Sequence, residues 1–276
     1  SNTNIVGGVF QMNTPAGSYS GAATPLGSGS IFLSFGGNTY FQTLNSITLS
    51  QNLALYGGGV TTVVQGTSAV TFAGALANSG GNNTLLNHST GTLTLGSLVS
   101  LQDTTNARGV TFGGMGDTVV VGAVQNGGST TGFLTKTGPG LLTLQGVNTF
   151  TGALSVNGGT LTAAFNTAAN NQLGQSTLTL GGGLLSATRA TATAGTQTYT
   201  STTLTAATAS ALSLFTTSTG SLTLNTGPLT RGAGATMIFT PPALGAINVG
   251  TSTIGNWAVV NTGGVLSFAA KDGSNN

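Results

Sequence analysis

The sequence predicts an all-β fold, a right-handed parallel β-helix (β-solenoid) forming a single shaft over residues 1–276. Three observations predict it. Short runs alternate apolar and hydroxyl residues along the chain, as in SITLS (46–50), GTLTLG (91–96), LLTLQ (141–145), STLTLG (176–181) and SLTLN (221–225). Alternation of period two puts apolar side chains on one strand face and Thr or Ser on the other. Each run is bounded by Gly, Asn or Ser, the residues that turn a chain. Finally, an [LI]-T-L element recurs from Ile47, Leu93, Leu142, Leu178 and Leu222, at uneven steps. These steps cluster near two units of about 20 to 24 residues, the spacing of solenoid repeats. Such short strands cannot hide an apolar face alone, whereas stacked coils bury a continuous core.

The elements follow in order. GVTFGGMG (109–116) lacks the Lys-Ser/Thr of a phosphate loop and reads as a turn. Within residues 134–161, Leu142, Leu144, Val156 and Leu161 are expected to point inward, and Thr143, Gln145 and Ser155 to face solvent. TAAFNTAANNQLG (162–174), the best helical candidate, reads as a loop or one short helical turn. TPPALG (240–245) is the clearest loop and is expected to interrupt the coils. An antiparallel sandwich or barrel also uses short strands. The solenoid is preferred because similar units follow one another, and the Asn-Gly hairpin signal is confined to QNGG (125–128) and VNGG (156–159).

Composition excludes several functions. Only 3% of the 276 residues are charged, against about 25% in an ordinary domain. Yet 38% are apolar, which argues against disorder. The net charge of +2 comes from Arg108, Lys136, Arg189, Arg231 and Lys271, scattered singly, against three Asp and no Glu. Nucleic-acid binding needs clustered cations. Absence of cysteine removes disulfides and thiolate metal sites. No apolar run approaches the roughly 20 residues of a membrane helix, and SNTNIVGGVF lacks the character of a signal peptide. The expectation is a chain stripped of its export signal or a segment of a longer one.

The stretch LTKTGPGLLTLQGVNTFTGALSVNGGTL (134–161) resembles the autotransporter-associated β-strand repeat family. The matching positions are Leu134, Lys136, Gly138, Gly140, Leu142, Leu144, Gly146, Asn148, Thr149, Phe150, Thr151, Gly152, Val156, Asn157, Gly159, Thr160 and Leu161, with Phe150 standing where the family usually has Tyr. GPLTRGAGATMIF (227–239) and STIGNWAVVNTGG (252–264) are weaker echoes. The resemblance implies an exported bacterial shaft, extracellular or on the cell surface. Its motif is structural and implies no catalytic residue.

The titratable residues agree with that implication. The carboxylates are Asp103, Asp117 and Asp272; the first two are separated by less than one coil and would have to meet across it to act as the pair of a polysaccharide-cleaving β-helix. His88 is the single histidine, and no GxSxG accompanies it. Trp257 reads as a packing residue or a binding-face aromatic. Calcium-roll repeats would need an Asp in every coil. No catalytic residue, cofactor or metal ligand is therefore expected. The expected partners are copies of the chain stacked end to end, or flanking repeats of a longer chain, giving a fibre or an adhesive surface. The alternative is a binding module whose outward threonines, such as Thr143, Thr179 and Thr223, form a ladder for glycan or ice.

Overall fold

Alternating runs become strands in this chain, and polar bends turn it between them. The computed structural model describes residues 2–12, 16–19, 26, 28–33, 37–101, 106–128, 131–165, 167, 169–250 and 254–268. They form two compact units, Ser1–Phe150 and Thr151–Asn276. Among the described residues there is no helix, and every strand pair but one is parallel. Each unit is a parallel β-solenoid, which excludes the antiparallel sandwich and barrel.

In the first unit eighteen strands form three sheets of six, each sheet taking one strand from each coil. The fourth coil is typical, with strands Leu76–Ser79, Asn83–Asn87 and Leu93–Leu95. Like residues stack on like. Ile31, Leu53, Leu76, Val99 and Val124 lie in register in the first sheet. Leu49, Phe72, Leu95, Val120 and Leu144 do so in the third. All ten are buried, and each contributes about 1.5–3 kcal/mol through removal from water. Phe10, Phe41 and Phe72 add an aromatic stack, with centroids 5.6 and 5.4 Å apart. The coil length is not constant. The chain runs farther between Gly8 and its partner Thr39 than between Leu53 and its partner Leu76.

The second unit contains three separate ladders. One is Leu154–Val156, Thr177–Leu180, Ser201–Leu204 and Leu229–Arg231. Another is Gly195–Thr198, Leu222–Asn225 and Gly245–Asn248. The third runs through Thr160–Ala164, Leu184–Arg189, Ala209–Thr216, Thr236–Thr240 and Ala258–Thr262. Val265–Phe268 then folds back antiparallel on Ala258–Thr262. Gly263 and Gly264 make this hairpin, with φ of 60° and 87°, the left-handed region that a tight two-residue turn requires.

Several sequence expectations change. Ile47, Leu93 and Leu142 do share one sheet, two coils apart. Leu178 pairs with Leu154, and Leu222 with Gly195, in two different ladders of the second unit. Leu-Thr-Leu suits any half-buried strand, so it marks strands without marking faces. GVTFGGMG is not a turn: Gly109–Gly114 is a strand. Residues 162–164 end the strand Thr160–Ala164, and the described residues from 165 to 174 form the expected loop, with one isolated bridge between Gln172 and Gly174 and no helical turn. TPPALG is an ordinary connection within a coil, because Leu222 before it still pairs with Gly245 at its end. VNGG joins strands of two different ladders, and the hairpin lies instead at residues 262–265.

The inward assignment of Leu142, Leu144, Val156 and Leu161 holds, since all four are buried while Gln145 is exposed and Thr143 and Ser155 are half-buried. Leu144→Asp should therefore cost several kcal/mol by placing an unpaired charge in the core, and Thr143→Asp about 1 kcal/mol or less. Urea unfolding of the two variants checks this.

Candidate functional site

A coil has two kinds of backbone group to satisfy: those in strands, which pair automatically, and those at corners, which do not. This chain solves the second problem with polar side chains placed just before its strands. The side-chain oxygens of Asn38, Asn52 and Asn82 accept the backbone N–H groups of Thr61, Ala75 and Gly109, at 2.9, 2.9 and 3.2 Å. Ser46 does the same for Ala69 at 3.3 Å, and Asp117 for Leu141 at 2.9 Å. In the second unit Asn170 and Asn171 accept from Thr196 and Thr198, each at 2.8 Å. Every one of these bonds reaches one coil onward. A single Asn, Asp or Ser directly preceding a strand, as Asn38, Ser46, Asn52, Asn82 and Asp117 do, is the sequence signal of this role.

The cations work on the same problem from inside. Lys136 is buried and stacks in register on Phe112, Leu85, Thr62 and Thr39. Its Nζ donates to the carbonyls of Thr137 and Gly138, both at 2.7 Å. Burial lowers its pKa from 10.5 to about 8, and the Asp117 carboxylate opposes that shift. Gly138 takes φ +69°, and a Cβ there would stand 2.6 Å from the Gly114 carbonyl oxygen. No other residue fits the corner that the lysine closes.

Arg189 is also fully buried. Its guanidinium donates to the carbonyls of Thr193, Phe165 and Ala194, the last two at 3.2 and 2.9 Å, and to the Thr193 hydroxyl. Burial lowers its pKa. Arg231 is exposed; it donates to the Ala235 carbonyl at 2.8 Å, and its guanidinium carbon lies 5.4 Å from the half-buried Trp257 ring, a cation–π contact of about 0.5–1 kcal/mol.

The motif residues are thus accounted for. Leu134, Leu142, Leu144, Phe150, Val156 and Leu161 are core rungs. Asn148 is buried and accepts the Val124 N–H at 2.9 Å. Gly138, Gly140, Gly146, Gly152 and Gly159 all lie in bends. Thr149 and Asn157 are exposed, and Thr151 and Thr160 half-buried.

Asp103, Lys271 and Asp272 lie outside the described residues. His88 and Asp117, read separately in the sequence, line one open depression with Ser89 and Met115. Ser89 is no nucleophile in waiting: its buried hydroxyl donates to the Ser68 carbonyl at 3.0 Å and accepts the Gly91 N–H at 2.9 Å. The proposed outward ladder is also redistributed, since Thr143 pairs with Val119, Thr179 with Thr203 and Thr223 with Thr196, each in a different ladder. A true column exists elsewhere. Thr61, Thr84, Thr111 and Thr135 stand in register on the outer face of the first unit.

Such a coiled scaffold is a parallel β-solenoid whose corners are held by its own polar side chains. The passenger-associated-transport-repeat model matches residues 134–163. The chain carries that repeat within a parallel β-solenoid. No curated protein and no solved structure matches the chain.

Lys136 supplies a pH test. Folded, it binds fewer protons than unfolded between pH 8 and 10.5, so its contribution to stability rises as pH climbs through that window. Relative to wild type, Lys136→Met should lose this alkaline gain, measured as denaturant midpoints from pH 7 to 10.

Proposed function

We propose that the chain is a non-catalytic β-helical shaft of an exported bacterial surface protein, extending coil on coil with flanking repeats or with further copies of itself into a fibre or adhesive surface. The observation that supports this most directly is the use of the repeat's residues. Lys136 and Asn148 bond backbone groups of the coils, and the repeat's glycines lie in bends, which are structural uses. Parallel sheets of this kind present unpaired edge groups wherever a ladder stops, and those edges are the surface on which another coil would add.

An antibody against residues 134–163 tests the location. It should label intact cells of the source; labelling that requires permeabilised cells would contradict a surface role. Electron microscopy of the native material should then show rods or fibres.

A second reading rests on the Thr61, Thr84, Thr111 and Thr135 column. Parallel stacking spaces its hydroxyls by about 4.8 Å, a regular array suited to glycan or ice. Thr84→Lys and Thr111→Lys should abolish glycan-array or ice-recrystallisation signals if the column binds either. A wild-type chain silent in both assays would dispose of this reading.

A further inference from the structure

The depression lined by His88, Met115 and Asp117 brings together three residue types that are scarce in this chain. His88 is the single histidine, Met115 one of three methionines and Asp117 one of three carboxylates. Asn87 and Gly114 are the last pair of the ladder between these adjacent coils, and His88 and Met115 follow directly beyond it. The Gly116 N–H donates to the Asn87 carbonyl at 2.8 Å, which keeps the two coils together at this point. Adjacent parallel strands lie about 4.8 Å apart. Asp117 is tied down in turn. Its backbone carbonyl accepts Asn87 Nδ2 at 2.7 Å and the Leu93 N–H at 3.0 Å, and its Oδ1 accepts the Leu141 N–H.

Met115 is the unusual member. Met12 and Met237 are 4% and 2% exposed and belong to the core, whereas Met115 is 69% exposed. A methionine held in water beside the chain's histidine gains nothing from burial, while its sulfur remains accessible. His88 is exposed as well.

We propose that this depression binds a soft monovalent cation, copper(I), through a His88 imidazole nitrogen and Met115 Sδ, with the Asp117 carboxylate balancing its charge. Thioether sulfur selects soft cations, and imidazole accepts copper readily. Among the described residues no group of three His, Cys, Asp or Glu is placed to hold a metal ion, so this depression offers imidazole and thioether donors beside a single carboxylate.

Silver(I), which has copper(I)'s softness without its redox chemistry, is the probe. The purified chain should bind one silver ion, measured by calorimetry. The Met115 methyl and His88 ring resonances should shift on titration, while the Met12 and Met237 methyls stay in place. His88→Ala and Met115→Leu should each weaken binding at least tenfold, and zinc(II) should bind at least a hundredfold more weakly than silver(I). The proposal is overturned by absence of saturable binding, by a wild-type Met115 methyl that does not move, or by either variant retaining full affinity. Because both side chains are exposed, the variants are expected to fold, and the wild-type methyl shift decides the matter without them.

Discussion

The hydrogen bond from one coil to the next is the interaction on which everything else in this protein depends. Within strands it forms by repetition, since Leu53, Leu76 and Val99 need only share a height in successive coils. At corners it does not, and the side-chain bonds that complete it there, most of them exposed, contribute about 0.5–1.5 kcal/mol each. Asn38, Ser46, Asn52, Asn82 and Asp117 carry the ladder one residue beyond the strand ends. The abundance of small polar residues is therefore part of the ladder.

The same constraint explains where the few charges went. Lys136 and Arg189 are not solubilising groups; both are buried and both donate to corner carbonyls. A buried cation is tolerable when its protons find partners, and each of these finds several. Hydroxyls such as Thr84 and Thr111 instead dress the outer face. A scaffold of this composition can add coils without adding charge, because neutral Asn and Ser side chains ahead of its strands supply most of the corner acceptors.

Strand chemistry, inward rungs and the solenoid class were legible in the sequence because alternation and burial are local and repetitive, as Leu142 and Leu144 show. Face identity was not. Leu178 and Leu222 carry the same Leu-Thr-Leu signature as Leu93 but occupy other ladders, since coil corners vary in length and the signature does not record them. Gly113 and Gly114 read as a turn because glycine is a turn residue in isolation; packed under Thr137 and against Asn87, they are buried strand. The neighbourhood of His88, Met115 and Asp117 was likewise invisible, being made by the register that sets Asn83 of one coil beside Val110 of the next.

The central claim is the coil-to-coil register, and nuclear Overhauser contacts between backbone protons read it directly. Leu93 should show parallel-strand contacts to Val70 on one side and Thr118 on the other, with Asp117 supplying the carbonyl for the Leu93 N–H. Antiparallel contacts between Leu93 and strands adjacent to it in sequence, such as Asn83–Asn87, would contradict the solenoid and every assignment built on it.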